Sequence, residues 1–468
     1  MKAVKPVDPA IDEREEFICV KSGRQKGRIK CDADSIAGSV SQRACVYTGA
    51  RVVLNPVTDA VHLVHGPIGC ASYTWDIRGA LSSGSELYRS SFSTDLQEED
   101  IIFGGEKKLA RAIDELVEKY RPKLVFVYST CIVGVIGDDL EAVCRAAAAK
   151  HGITVIPVES SGFSGNKAAG YRAACEALLR LIEPPAGQEL PKTGSLNYLG
   201  DFNLAGEAWI IKGYLQQMGI GVNAVFTGDS SYESLKKATR ASLNIVQCAG
   251  SMYYLAQRME ERYGIPYMQV SFLGLQDTAE SLRKIARWSG DLAVMRRTEE
   301  LIKKETAAAL PEIERCRARL TGKRAAVYVG GGFKAISLIR QFRELGMDVV
   351  MVGTQTGRPE EYDTIHELVS EGTVIVDDAN PSELERFMLE KGAHLLVGGV
   401  KERPLAYKLG VAFIDHNHNR KHPLSGFVGA VNFAREVYST LCSPVWRYID
   451  GPGGESGGKA GDLLAQCQ

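Results

Sequence analysis

Short apolar runs alternate with longer amphipathic segments along this chain, and this alternation limits the folds that it can adopt. Residues 123–129 form a run rich in Val, Phe and Tyr, and residues 138–150 follow it with a helical pattern. The same order repeats at residues 153–158 and 166–182. Unbroken apolar runs of this length are typical of strands buried on both faces, and the intervening segments suit crossover helices. The pattern predicts parallel β-sheets built from βαβ units.

Two interruptions divide this pattern into three repeats. One is a Pro-rich stretch at residues 183–191, and the other is a charged segment at residues 298–320 that we predict to be a connecting helix. The length of 468 residues suits about three domains of roughly 150 residues each. We predict an α/β fold of three doubly wound, Rossmann-like domains with parallel sheets, at residues 41–190, 191–320 and 321–468. Residues 1–40 lack sustained periodicity and are predicted to form an N-terminal arm.

Composition argues against several classes of function. With 24% charged residues and a formal net charge of -1, the chain has no basic surplus for binding nucleic acid or an anionic membrane. No segment approaches the roughly 18 apolar residues of a membrane-spanning helix, and the N-terminus lacks the apolar core of a signal peptide. We therefore expect a cytoplasmic protein. In that reducing compartment its 11 cysteines are expected to be core residues or metal ligands.

Three cysteines have neighbours that suit a metal ligand. Cys45 lies in RACVYTGA, Cys70 in HGPIGCASYTW, and Cys131 in VYSTCIVG, directly after a predicted strand. Glycine and proline beside Cys70 allow close approach to an inorganic cluster, and strand-end loops often carry ligands. Cubane iron–sulfur clusters have four thiolate ligands, however, and the spacings of 25 and 61 residues match no compact metal motif. From the residues alone, buried structural cysteines are an open alternative.

Two further strand ends carry candidate ligands. Cys248 closes a predicted strand at residues 244–248 ahead of a helix, whose dipole would stabilise a thiolate. Residues 415–422 (DHNHNRKH) follow another predicted strand and contain three of the 8 histidines. That loop could ligate a metal, bind an anion through Arg420 and Lys421, or be solvated. Glycines at 330–332 and 398–399, each near a lysine, suit an anion site or a tight turn.

Long segments of the chain resemble the nitrogenase alpha-subunit superfamily, from about Cys45 to Trp446. They include HLVHGPIGCASYTWDIRG, FSTDLQEEDIIFGGEKKL, GDFNLAGEAW and GVKERPLAYKLGVAFIDHNHNRKHPLSGFVG. The resemblance implies that Cys45, Cys70 and Cys131 supply three thiolates to a 4Fe-4S cluster shared with a beta-type subunit, which supplies the fourth. It also implies a second, larger iron–sulfur cofactor, for which Cys248 matches the cysteine ligand.

The chain departs from the catalytic members of this superfamily at three positions. Asn417 stands where they have the ligand histidine, with His416 and His418 on either side. Tyr171 replaces a histidine that assists substrate reduction, and Phe333 replaces an arginine that packs against the finished cofactor. Losing a strong imidazole ligand while keeping the cysteine favours a site that holds a cluster temporarily.

The resemblance is closest to members that serve as scaffolds for maturing the nitrogenase iron–molybdenum cofactor. It implies a chain that holds an iron–sulfur–carbide precursor during insertion of molybdenum and homocitrate, and then releases it without a catalytic reaction of its own. Cys248 would anchor the precursor, and His416, Asn417, His418 and Lys401 would lie beside it. The implied partners are a NifN-type beta subunit in an α2β2 heterotetramer, the nitrogenase iron protein and a protein that donates the precursor.

Other functions are open at this point. The alpha subunit of a nitrogenase-like reductase acting on another small substrate would share the fold and could lack the same pocket residues. A paralogous scaffold for the vanadium cofactor is a closer alternative. A metal-free α/β binding protein would require the three matched cysteines to be coincidental. Cys19 and Cys31 are assigned no role.

Overall fold

The computed structural model describes residues 14–23, 29–31, 44–74, 90–184, 191–416 and 420–448. No helix in these ranges combines the length and the apolar character that crossing a bilayer requires. The chain folds as two compact units. The first contains Ala44–Val270 and Leu282–Leu301, and the second contains Ser271–Ser281 and the described residues outside these ranges.

The described residues form fourteen strands and seventeen α-helices, each numbered in chain order. The strands β1 to β14 are Ile18–Val20, Ala60–His65, Ser91–Ser93, Leu124–Ser129, Thr154–Val158, Leu196–Asp201, Val222–Thr227, Leu243–Val246, Tyr267–Gln269, Arg324–Val329, Asp348–Thr354, Val374–Asp377, Leu395–Gly398 and Ala412–Asp415. The helices α1 to α17 are Val46–Leu54, Ile68–Tyr73, Glu98–Phe103, Glu106–Tyr120, Cys131–Ile136, Leu140–His151, Lys167–Ile182, Glu207–Met218, Tyr232–Lys236, Ala249–Tyr263, Leu275–Ser289, Leu292–Leu320, Gly332–Glu344, Pro359–Leu368, Pro381–Lys391, Arg403–Lys408 and Gly426–Leu441.

The first unit contains two parallel sheets of four strands, in the orders β3-β2-β4-β5 and β7-β6-β8-β9. One apolar core runs between them and includes Leu54, Phe126, Phe226 and Met252. Helices α1 and α7 cross in this core at very short range. A Cβ atom at Gly170 would lie 2.0 Å from the carbonyl oxygen of Val46, so only glycine permits this approach.

The second unit contains a six-stranded sheet in the order β1-β12-β11-β10-β13-β14. Strands β10 to β14 pair in parallel, whereas β1 pairs antiparallel with β12 at the edge. Apolar side chains cover both faces, with Phe342 and Phe433 on one side and Phe387 and Leu396 on the other. Burial on both faces explains why these strands carry continuous apolar runs.

The predicted α/β class with parallel sheets is therefore confirmed. Apart from β1, each of the three sheets lies within one of the predicted segments 41–190, 191–320 and 321–468. Two of these sheets share a compact unit, because their facing helices bury a common core. The predicted connecting helix at residues 298–320 begins earlier than expected, at Leu292.

The N-terminal segment differs from the predicted arm wherever the structure describes it. Strand β1 pairs Ile18 with Val376 and Cys19 with Ile375, and Phe17 beside it is buried. Cys31 is half-buried against the core of the second unit. The prediction of an unpacked arm was wrong for these residues, because a three-residue strand has too short an apolar pattern to be recognised in isolation.

A buried ion pair between Arg14 and Glu383 binds this segment to the rest of the second unit. Its removal is therefore expected to lower stability. The Nε atom of Arg14 donates to Glu383 at 2.7 Å, and its Nη2 atom donates to the carbonyl oxygens of Asp377 and Asp378. Replacing Arg14 with Met would leave the Glu383 carboxylate buried without its counter-ion. We expect a loss of about 3–5 kcal/mol in the free energy of unfolding of this region, measured by denaturant titration.

The exposed Lys30–Glu16 pair in the same segment provides the control. Its side chains are 56% and 70% exposed, so Glu16→Gln should leave the unfolding midpoint nearly unchanged. Equal effects of Arg14→Met and Glu16→Gln would contradict a stabilising role for the buried pair.

Candidate metal centre

Three of the predicted ligands lie at the beginnings of three helices in the first unit. Cys45 is the N-cap of α1, Cys70 is the third residue of α2, and Cys131 is the first residue of α5. Helices α2 and α5 follow β2 and β4, which are neighbouring parallel strands, so both begin at the same edge of the sheet. Cys45 forms an antiparallel bridge with Asn166, the N-cap of α7.

The structure brings these three cysteines together. Burial raises the pKa of the Cys70 thiol, and the charges of Cys131 and Cys45 raise it further, which requires all three to be near one another. Gly162 lies between the other two, because a Cβ atom built there would be 2.8 Å from the Sγ of Cys131 and 3.8 Å from the Cβ of Cys45. The thiols thus come from distant parts of the chain but share one surface.

Gly162 was not singled out from the sequence, although the segment SSGFSGN contains the glycine that permits this contact. We expect Gly162→Ala to displace the Cys131 sulfur and to weaken retention of iron about tenfold, as metal sites lose affinity when the groups supporting a ligand change. Iron per chain after anaerobic gel filtration is the measurement. Gly69→Ala is the matched control, because Gly69 adjoins Cys70 but a Cβ there meets nothing within 4 Å. Equal iron retention in both variants would contradict this account.

Apolar side chains surround the three cysteines and are exposed. Ile68 and Tyr73 lie on the helix of Cys70, Val135 lies on the helix of Cys131, and Phe163 follows Gly162. Val135 is 69% exposed and Phe163 is 74% exposed. Apolar groups concentrated around a potential metal site are typical of a surface that another protein covers.

The donor set is three thiols, the ligand type that iron–sulfur clusters take. Within the described ranges, no three His, Cys, Asp or Glu side chains form a group that could hold one ion. In a cubane cluster each thiolate binds a different iron atom, so the ligand sulfurs lie further apart. The three cysteines at this surface are at least partly accessible. Three thiols satisfy three corners of such a cluster and leave one for another ligand.

Cys248 occupies the position that the sequence predicted. It follows β8, is half-buried, and is the N-cap of the fifteen-residue helix α10. Gly200, with φ of +83°, lies directly against it, since a Cβ atom there would be 2.6 Å from the backbone nitrogen of Cys248. A helix N-terminus favours negatively charged groups, so this position suits a cysteine that ligates metal.

His416 lies inside the second unit, fully buried, with its ring edge-on to Phe433 at 5.9 Å between centroids. Burial, and then the charges of Lys334 and Arg420, lower its pKa well below the ordinary value, so the imidazole is neutral. Neither ring nitrogen has a hydrogen-bond partner among the described residues. A neutral imidazole of this kind is the form that ligates metal, but the ring of His416 is 0% exposed in the part of the chain that the structure describes. The predicted ligands Asn417 and His418 lie outside the described residues.

The remaining predicted residues are placed as follows. Lys401 is exposed in the turn between β13 and α16, and the neighbouring Glu402 is buried and accepts from the backbone nitrogen of Gly399 at 2.7 Å.

Tyr171 is buried in α7, and Phe333 is half-buried in the first turn of α13. Lys334, in the first turn of α13, donates its Nζ to the carbonyl oxygen of His416 at 2.5 Å.

Several known proteins are similar to this chain. The family model described as "Nitrogenase component 1 type Oxidoreductase" matches residues 45–442. A curated relative, the nitrogenase iron-molybdenum cofactor biosynthesis protein NifE of Clostridium pasteurianum, is 61% identical over 94% of this chain and 97% of its own length. NifE of Methanosarcina barkeri is 53% identical over 96% and 99%, respectively.

The solved structures show the same relationship. The structure titled "Nitrogenase Cp1 at pH 5" superposes with a TM-score of 0.86 and 32% sequence identity, covering 96% of this chain and 98% of its own. Fold, matched length and sequence identity agree, so the chain belongs to the nitrogenase component 1 type oxidoreductase family.

Proposed function

We propose that this protein is a scaffold subunit for maturation of the nitrogenase iron–molybdenum cofactor. The observation that carries the proposal is the grouping of Cys45, Cys70 and Cys131 at one sheet edge, in a chain 61% identical to a protein named for biosynthesis of that cofactor. The scaffold binds an iron–sulfur–carbide precursor, keeps it during insertion of molybdenum and homocitrate, and passes it to the final enzyme.

Two separate groups of residues carry this function. Cys45, Cys70 and Cys131 hold a 4Fe-4S cluster, which supplies electrons when bound. Cys248 anchors the precursor through its thiolate, and the support for this is its N-cap position at α10 and its partial exposure. Contacts of His416, Asn417, His418 and Lys401 with the precursor are proposed from the resemblance of the sequence.

The proposal includes a partner subunit. Three thiols leave one corner of the cluster to an outside ligand, and exposed Ile68, Tyr73, Val135 and Phe163 lie around them. A NifN-type beta subunit would supply the fourth ligand and cover these side chains, in an α2β2 heterotetramer. The nitrogenase iron protein and a precursor-donating protein would visit this complex in the cytoplasm, where the thiols stay reduced.

Transfer of the cofactor distinguishes the scaffold from an enzyme. The complex is purified anaerobically, supplied with precursor, molybdate, homocitrate and a reductant such as dithionite, and mixed with the nitrogenase iron protein and cofactor-free nitrogenase. We expect the acceptor to become active and the complex to turn over no substrate of its own. Absence of activation, together with reduction of a small substrate by the complex, would establish the alternative of a nitrogenase-like reductase. Activation of only a vanadium-type acceptor would identify the paralogous scaffold.

A further inference from the structure

A buried histidine–aspartate pair lies behind the cysteine surface and is not used by the proposed function. His65 is the last residue of β2, and Asp138 lies between α5 and α6. The Nε2 atom of His65 is 2.9 Å from Asp138 Oδ2, and their side chains are 0% and 4% exposed. Burial lowers the pKa of His65 and Asp138 raises it in part, so the imidazole is neutral at physiological pH.

Both ring nitrogens of His65 and the carboxylate of Asp138 have hydrogen-bond partners, and the donors and acceptors fit a single arrangement of protons. The backbone nitrogen of Gly66 donates to Thr94 Oγ1 at 3.1 Å, and that hydroxyl lies 3.0 Å from His65 Nδ1. With a neutral ring, Thr94 donates to Nδ1, and Nε2 donates to the Asp138 carboxylate. Asp138 also accepts from the backbone nitrogen of Gly105 at 3.0 Å. A buried network in which every member is satisfied holds its segments rigidly.

This network joins the segments that carry two of the cysteines. Gly66 begins the turn into α2 and Cys70, whereas Asp138 follows α5, which begins with Cys131. A second bond connects the same segments, from Thr130 Oγ1 to the carbonyl oxygen of His65 at 3.0 Å. Contacts to His65 therefore connect the Cys70 and Cys131 turns.

Gly105 belongs to a third chain segment, which closely approaches the side chains of His65 and Asp138. A Cβ atom there would lie 2.6 Å from Asp138 Oδ2 and 2.9 Å from His65 Cε1. Gly105 follows α3, whose residues Ile102 and Phe103 are exposed. Asp138 thus joins its own segment to two others, and the segment of Gly105 carries the exposed apolar residues Ile102 and Phe103.

We infer that Asp138 and His65 are positioning residues, which fix the Cys70 and Cys131 turns at the separation that an iron–sulfur cluster requires. This inference rests on the proposed cluster site. Groups that orient metal ligands without touching the metal commonly change metal affinity about 10- to 100-fold when they are replaced. Asp138→Asn keeps the shape of the side chain but replaces one acceptor with an NH2 group, which faces the donors of His65 and Gly105.

The test compares two aspartate variants in the anaerobically purified complex. Asp114→Asn is the control, because Asp114 pairs with His151 at 2.6 Å, at the other end of α6 from Asp138. The readouts are the rate of iron release to a chelator, the low-temperature paramagnetic spectrum and the unfolding temperature. We expect Asp138→Asn to release iron roughly tenfold faster or more, with a broadened spectrum, and Asp114→Asn to match the unmodified protein in both.

A milder variant covers the case in which Asp138→Asn does not fold. Thr94→Val removes only the hydroxyl between Gly66 and His65, and should accelerate iron release in the same direction. If Asp138→Asn releases iron at the rate of the unmodified protein and gives the same spectrum, the inference is overturned, whatever the unfolding temperature. If only Thr94→Val folds, the same result in that variant overturns it. If the unmodified complex contains no iron, the proposed cluster site fails, and the inference fails with it.

Discussion

Replacing Cys70 with Ala should remove the cluster at the cysteine surface while leaving the fold nearly unchanged. Cys70 is only half-buried, so its sulfur contributes little packing. Loss of one of three thiolates from this chain leaves a corner of the cluster without a ligand. We expect iron content to fall by the amount of one cluster and its low-temperature paramagnetic signal to disappear.

Cys144 provides the control with the opposite expectation. It is buried in α6 of the same unit, and burial raises the pKa of its thiol to about 12, which keeps it protonated and unsuited to metal. Cys144→Ala should cost about 1 kcal/mol in the free energy of unfolding and leave the iron content unchanged. Unchanged iron in Cys70→Ala would refute the assignment of this surface.

Replacing Cys248 with Ala should abolish retention of the precursor and spare the cluster at the cysteine surface. Cys248 supplies the one thiolate proposed to bind the precursor, so the loss should exceed the roughly 100-fold that residues supporting a ligand can cause. The measurement is precursor iron retained after gel filtration of the loaded complex. Activation of cofactor-free nitrogenase by the eluted complex should fall in parallel.

Cys175 is the matched control for this variant. It is fully buried in the same unit, its Sγ donates to the carbonyl oxygen of Ser251 in α10, and its thiol pKa is raised to about 12 by burial. Cys175→Ala should lower stability and keep the precursor. Retention of precursor by Cys248→Ala at the level of Cys175→Ala would exclude Cys248 as the anchor.

The strands of this fold could be predicted from sequence where burial on both faces produces an unbroken apolar run, as in β4. Strand β2 was missed because His62 and His65 interrupt the pattern. Both are buried and satisfied by distant partners, such as Tyr128 at 2.8 Å from the Nδ1 of His62. Strand β1 was missed because its pairing with β12 joins residues more than 350 positions apart. Local patterns do not contain such contacts.

The candidate site was predictable only in part for the same reason. Cys45, Cys70 and Cys131 were grouped through family resemblance, since their spacing in sequence carries no metal motif. Their shared surface depends on the parallel pairing of β2 with β4 and on the closeness of Gly162 to the Cys131 sulfur. The Asp138 network had no sequence signal, because an aspartate before a helix usually only caps it.

We expect the complex to hold two pools of iron, one permanent and one temporary. Mössbauer spectroscopy of iron-57-labelled complex, recorded before and after incubation with unlabelled, cofactor-free nitrogenase, separates them most directly. We predict that the spectrum of the cluster at Cys45, Cys70 and Cys131 persists, and that the precursor component leaves the complex and appears on the acceptor. A spectrum in which every iron component stays with the complex would contradict a scaffold that releases its cargo.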